Sequence, residues 1–591
     1  MRENYKKDEA SVQIPRSQIL KRILSYFTDY KARIAIVIIL VCLSTLIVTM
    51  IPLFTEHAVD VDIANKDKAG LIKTVSFGVS LIVLWWLLVI IKQHLMTKLT
   101  NEVVFRIRED VYKNIITLPL FFFDSRPTGR ILARLVGDMN GLKQISTQLV
   151  DTLIPNVLML IVILVIMTAM NPMLSLSALI VLPILVFFAY VIIIKGYKNW
   201  ENFRKKQSNY KAFIHEDYAG IRAIKSFNAE DETNSEAKGI WADITKAWIR
   251  AVGRGDLLNI VIQSSQGIGY FFLFFFAIEK LSMGEESLGE ILAYIGYMGL
   301  FWQPIRSLAS MYNQMTNNFS AAARVFELMD EKSNIIESEN AVALKADKGR
   351  VTFDKVSFAY PDEPDRLIIK DINFDIEGGK RIALVGPTGA GKTTIINLIA
   401  RFYDTVEGRV LIDGTDLRDV TIESLRNAVT VMPQDSVLFT GTIRENLKYG
   451  KNVSDDEMIE ACRRLGIEPL IESLEKGYDT EIKNTTLSQG QKQLIALART
   501  LIAEPKILIL DEATSSVDTR TELLVQEGLK VLMEGRTTFV VAHRLSTIKN
   551  SDEIFVINNQ RIIERGNHKE LMEKGGEYRA LYDAQFAALE E

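Results

Sequence analysis

Cysteine is nearly absent. The 591 residues hold two, Cys42 and Cys462, too few for a disulfide framework or a four-thiolate metal cluster. Both read as small apolar fillers. Net charge is scarce as well, since 69 Lys plus Arg against 73 Asp plus Glu leave −4. No global field gathers nucleic acid. Charge is scarcest along six runs, Ile34 to Thr55, Thr74 to Ile91, Thr152 to Asn171, Pro172 to Ile194, Leu257 to Ile278 and Leu288 to Ile305, where only Glu290 carries one.

Those runs are each near the length, about 20 apolar residues, that a hydrocarbon core demands of a helix, so they read as six membrane spans. The charged fraction of 24% and apolar fraction of 48% look ordinary, yet mean hydropathy is +0.12. The average hides a division along the chain. Lys and Arg set the orientation: the second-to-third connection carries Lys98, Arg106, Arg108, Lys113, Arg126, Arg130, Arg134 and Lys143, and the fourth-to-fifth runs from Lys195 through Lys211 to Arg254. These basic connections face the cytoplasm, as do both termini. They keep helical apolar spacing, as in Val103, Val104, Ile107 and Val111, and read as cytoplasmic extensions of the membrane helices.

The N-terminal stretch lacks an apolar h-region followed by a small-residue cleavage site. Ile19, Leu20, Ile23, Leu24 and Phe27 recur at helical spacing, which predicts an interfacial elbow helix and not a signal peptide. Trp85 and Trp86 inside the second run read as packing groups.

After Asn317 the character changes, and from Gly349 onward no membrane-length run recurs. The apolar strand Lys380 to Val385 leads into Gly386-Pro387-Thr388-Gly389-Ala390-Gly391-Lys392-Thr393-Thr394 and then an apolar helix, the G-x-x-x-x-G-K-[ST] pattern in its strand–loop–helix context. Its glycines turn backbone N–H groups inward around phosphate, Lys392 reaches the β/γ-phosphates, and Thr393 supplies a hydroxyl to Mg²⁺. A second strand, Ile507 to Leu510, ends in Asp511-Glu512. Asp511 is assigned to Mg²⁺ through water and Glu512 to the base that activates the attacking water. A third, Thr538 to Val541, delivers His543, one of five histidines, as a contact for the γ-phosphate and that water.

With Leu487-Ser488-Gln489-Gly490-Gln491 between these motifs, the chain resembles the ATP-binding cassette exporters in which six membrane helices are fused to each nucleotide domain. The resemblance covers nearly the whole chain. It implies that Tyr360 stacks on adenine, that Gln434 contacts the nucleotide and its Mg²⁺, that Leu487 to Gln491 close over another chain's ATP, that Ser515 to Asp518 form the D-loop, and that Phe123 to Gly129 and His215 to Asn228 are coupling segments. The implied fold is an all-α six-helix membrane domain with long intracellular extensions, followed by an α/β nucleotide domain. The expected boundaries are 1–32 for the tail and elbow, 33–320 for the membrane domain (helices near 33–55, 72–97, 149–170, 172–195, 256–279 and 288–312), 321–347 for a linker and 348–591 for the nucleotide domain.

One nucleotide domain is half of such a machine, so the resemblance implies a second half-transporter as partner. Two departures bear on which: Gln489 replaces the usual glycine, and the segment Thr480 to Asn484 is shortened. These resemble heterodimeric exporters, in which this chain would supply the intact catalytic residues. A homodimer is the alternative. For the cargo, Gln263 to Gln266, Gln303 and Ser307 with Tyr270, Phe271, Phe272, Phe274, Phe275, Phe276 and Trp302 offer apolar walls and neutral polar groups, suited to lipophilic or amphipathic small molecules. The resulting expectation is a multidrug-type exporter of the cell membrane, using ATP and Mg²⁺, surrounded by lipid, with no nucleic-acid partner. A lipid flippase on the same fold is the alternative.

Overall fold

The structure, a computed structural model, describes residues 14–282, 287–433, 437–482, 487–511, 519–541 and 548–586. The chain divides into two compact units, Met1–Ile116 with Gly129–Glu331, and Thr117–Thr128 with Lys332–Glu591.

The first unit is helical. Arg16–Phe27 buries Ile19, Ile23 and Phe27 on one face and leaves Leu24 exposed, as an elbow helix requires. Long helices follow: Lys31–His57, Lys68–Ile116, Leu182–Ala219, Glu230–Ser282 and Leu288–Asp330. Four helical stretches among the described residues are long and apolar enough to cross a membrane: Arg16–Ile63, Lys68–Ile116, Thr128–Met170 and Glu230–Glu279. The fourth expected run is not one continuous helix. It breaks between Pro172–Leu179 and Leu182–Ala219, because Pro183 has no N–H to donate and its ring collides with the preceding turn. The sixth lies on Leu288–Asp330, where Gly289, Glu290, Gly296, Gly299 and Gln303 dilute its hydropathy. Residues 321–330 continue that helix, as the amphipathic spacing of Ala321 to Met329 predicts, and bury Ala322, Val325, Phe326 and Leu328.

Helix contacts in this unit combine close approach with satisfied hydroxyls. A Cβ on Gly296 would lie 3.2 Å from the Pro52 ring, so the Lys31–His57 and Leu288–Asp330 helices pack nearly backbone to backbone. One residue on, the Tyr297 hydroxyl donates to Thr49 O at 2.8 Å, and Tyr294 donates to Met167 O at 2.6 Å. Buried hydroxyls without such acceptors would destabilise the packing by about 1–3 kcal/mol each. Outward faces are apolar: Ile72, Phe77 and Trp86 are 67%, 53% and 59% exposed.

The second unit is built on a six-stranded sheet in the order Arg561–Gly566, Glu553–Asn558, Arg381–Val385, Thr537–Val541, Ile507–Asp511, Val429–Met432. All neighbours but the first pair run parallel. Strands buried on both faces need apolar side chains throughout, which Ile507-Leu508-Ile509-Leu510 and Phe539-Val540-Val541 supply. One face packs on Lys392–Ile399 and on an antiparallel sheet containing Val351–Ala359 and Leu367–Ile376. The other packs on the helices Asp455–Arg464 and Gln489–Ile502. Asp413 fastens the entry to this unit by accepting from the backbone N–H groups of Lys348, Gly349 and Arg350 at 3.0, 3.0 and 2.8 Å.

Candidate nucleotide-binding site

Parallel strands end together, so the central Arg381–Val385 strand and Ile507–Asp511, two places along with Thr537–Val541 between them, deliver Gly386 and Asp511 to one edge of the sheet. The turn that follows is closed to side chains. Gly386 has φ of 154°, and a Cβ there would strike the Ile557 carbonyl; Gly391 has φ of 102°, and its Cβ would sit 2.7 Å from the Ile369 side chain. Only glycine fits both demands. The helix Lys392–Ile399 then begins, held by buried Ile395, Ile396, Leu398 and Ile399.

Lys392 is 9% exposed, and its ammonium donates to the carbonyls of Gly386 and Pro387 at 2.8 and 2.9 Å. Burial pushes its pKa down, and the Asp511 carboxylate pulls it back up. A cation in that position is matched to phosphate oxygens. Thr393 is exposed in the first helical turn, and Pro387, Thr388 and Gly389 lie open to solvent. This is the donor set that a triphosphate with Mg²⁺ demands: loop amides, one lysine, one free hydroxyl and the Asp511 carboxylate.

Tyr360, the expected base-stacking ring, is within reach of this loop: its hydroxyl lies 3.2 Å from Thr394 Oγ1. It packs edge-on against Phe358 and Tyr403, with ring centres 5.1 and 5.3 Å apart. Tyr403 is buried and donates to Asp124 Oδ2 at 2.8 Å. Burial, together with that carboxylate, raises its pKa far above the ordinary tyrosine range, so it remains a donor. The sequence reading did not single out this pair. The aromatic doublet Phe402-Tyr403 after the phosphate-loop helix was the available signal, but nothing in the sequence joins it to a residue 279 positions earlier. Of the segment Phe123 to Gly129, Phe123 and Asp124 end the short helix Leu120–Asp124, and Thr128 and Gly129 begin the helix Thr128–Leu132.

Leu487 to Gln491 form a second, separate element. Ser488 caps the helix Gln489–Ile502, accepting from Gln491 N–H at 3.3 Å while Gln491 Oε1 accepts from Ser488 N–H at 2.9 Å. The Ser488 hydroxyl proton is left for an external acceptor at a helix N-terminus. No hydrogen bond or ring contact among the described residues joins this element to the 386–394 loop. The preceding segment, at Glu481–Ile482, pairs with Gly441–Thr442. Gln434, Glu512, Ser515 to Asp518 and His543 lie outside the described residues, as do residues 483–486.

Comparison with known proteins agrees with both halves. Residues 34–305 match the ABC transporter transmembrane region, and residues 369–515 match the ABC transporter family. The chain is 35% identical over 581 residues, 96% of its length and 100% of the relative, to a putative multidrug export ATP-binding/permease protein of Staphylococcus aureus. It is 34% identical over 515 residues, covering 87% of this chain and 81% of the relative, to a fatty acid ABC transporter ATP-binding/permease protein of Mycobacterium tuberculosis. A bacterial Atm1-family ABC exporter, solved with ATP bound, superposes with a TM-score of 0.79 at 29% identity, over 94% of this chain and 98% of that one. With a transmembrane region and an ATP-hydrolysing cassette in one polypeptide, the chain belongs to the ABC transporter family as an exporter half-transporter.

Proposed function

We propose that this half-transporter exports lipophilic or amphipathic small molecules across the cell membrane by alternating access, paired with a distinct sister chain. The carrying observation is that the two phosphate-binding elements, the 386–394 loop and the capped Ser488 helix, are each well formed yet unconnected within one cassette. Each is half of a site that a second cassette completes. Lys392 and the loop amides hold the triphosphate, Tyr360 stacks the base, Thr393, Gln434 and Asp511 hold Mg²⁺, Glu512 deprotonates the attacking water and His543 orients it. Mg²⁺, when bound, neutralises charge on the phosphate oxygens. Across the interface, Ser488 and Gly490 of the other cassette offer a hydroxyl and a backbone N–H, with Leu487, Gln489 and Gln491 framing them and Asp518 following in the D-loop. Closure moves the membrane helices only if the closed dimer binds ATP better than the open one.

Both the fatty-acid and the multidrug relatives carry names that suit an apolar cargo. Gln489 in place of glycine favours a sister chain over a second copy. The test is purification of this chain alone in nanodiscs, with its mass and ATPase rate. A monomer without turnover supports the heterodimer, and an active dimer overturns it. Inverted vesicles supplied with ATP and either a lipophilic dye or a labelled lipid separate drug export from lipid flipping. Accumulation of labelled lipid alone would replace the drug reading with the flippase reading.

A further inference from the structure

Tyr403 stands at the meeting point of four contacts, with the rings of Phe121, Phe358 and Tyr360 and with the Asp124 carboxylate. It is 4% exposed. Its ring lies at 89° to Tyr360 and at 69° to Phe358, and Phe358 lies at 83° to Tyr360. Three mutually edge-on rings fix one another's planes, because each presents its positive edge to a neighbour's negative face. Tyr360 is therefore set from two sides: the phosphate-loop helix meets its hydroxyl through Thr394, and Tyr403 bears on its ring. Tyr403 has its own anchor outside the nucleotide machinery. Its hydroxyl donates to Asp124 at 2.8 Å, and Phe121 packs against it at 6.5 Å. Phe121, Asp124, Ile368, Tyr360 and Tyr403 line one cavity of about 390 Å³.

We propose that Tyr403 is a positioning residue for the nucleotide base: it holds Tyr360 at its stacking angle while Asp124 holds Tyr403, so that affinity for ATP depends on the docked 117–128 segment. The inference rests on Tyr360 as the base-stacking ring. Phenylalanine at 403 keeps the ring and removes the anchor. Alanine at 124 removes the acceptor, whereas asparagine keeps an acceptor oxygen.

The experiment uses full-length protein in nanodiscs and reads KM and kcat for ATP, together with inhibition by inorganic tripolyphosphate, which has no base. Tyr403→Phe and Asp124→Ala are each expected to raise KM about fivefold, the value of one hydrogen bond, with kcat held within about twofold. Tripolyphosphate inhibition stays unchanged, Asp124→Asn remains near the parent protein, and the Tyr403→Phe/Asp124→Ala double variant is no worse than either single change. The inference is overturned if both single variants keep the parent KM while Tyr360→Ala raises it. It is equally overturned if tripolyphosphate weakens in parallel, which would mean general loosening of the loop. An unchanged KM in Tyr360→Ala would remove the base-stacking reading and this inference with it.

Discussion

Apolar side chains face outward along much of the helical unit and inward along the central strands of the cassette. Along Lys68–Ile116 the most apolar stretch has none of its residues buried, while Ile507, Leu508 and Ile509 in the cassette are all 0% exposed. The same residue types obey one rule in two solvents. In hydrocarbon hiding a leucine brings little gain, so close backbone approach and hydroxyl hydrogen bonds matter at helix contacts, as at Gly296, Pro52 and Tyr297. In water the gain is about 25 cal/mol per Å² of apolar surface buried, and the sheet is covered on both faces.

The comparison also divides the labour, and the largest predicted effect tests that division. Glu512→Gln should lower steady-state ATP hydrolysis by about 10²–10⁴-fold, the usual worth of a general base, without changing membrane insertion. Unchanged hydrolysis in the purified transporter would defeat the base assignment. Next in size is one substitution made in both regions. Ile82→Arg, at a site 45% exposed in the helical unit, should cost about 2.5–3.5 kcal/mol of insertion if that face meets lipid. Leu523→Arg, 58% exposed in the cassette, should change stability by no more than about 0.5 kcal/mol. Glycosylation-based insertion assays and thermal melts read the two, and equal effects would break the contrast.

A third test uses the buried cysteine of the cassette. Burial pushes the Cys462 thiol up from its ordinary 9.0 to about 11, so the folded cassette keeps a proton that the unfolded chain releases. Stability attributable to this group is therefore present below about pH 9 and is lost as pH rises towards 11. Cys462→Ala should flatten that part of the curve in denaturant titrations, and an identical slope in the variant would show that other groups dominate. Smallest is the exposed ion pair of Arg22 with Asp330, whose side chains are 41% and 49% exposed. Asp330→Asn should shift the melting free energy by less than about 1 kcal/mol and less still in high salt.

What could be read from the sequence follows the range of the interaction. The phosphate loop was legible because strand, glycines, lysine and helix are consecutive, and the apolar runs because hydropathy is local. The break at Ile180 was announced by Pro183, yet a hydropathy window does not register a missing N–H. The end of the Leu288–Asp330 helix is legible in the amphipathic spacing of Ala321 to Met329, whose Ala322, Val325 and Phe326 are buried. Asp124 on Tyr403 was beyond reach, because no short-range pattern links two residues 279 apart.

That separation has a consequence for biosynthesis. Residues 117–128 belong to the cassette unit, yet they leave the ribosome long before Tyr403 exists. At about 5–20 residues per second, this short piece waits for tens of seconds, with Phe121 and Phe122 lacking their final neighbours. The cassette is thus a discontinuous domain whose first piece is made early. A recombinant fragment starting at residue 332 would begin life without it, and the membrane unit made alone would carry an orphaned aromatic helix, Leu120–Asp124, for a chaperone to find.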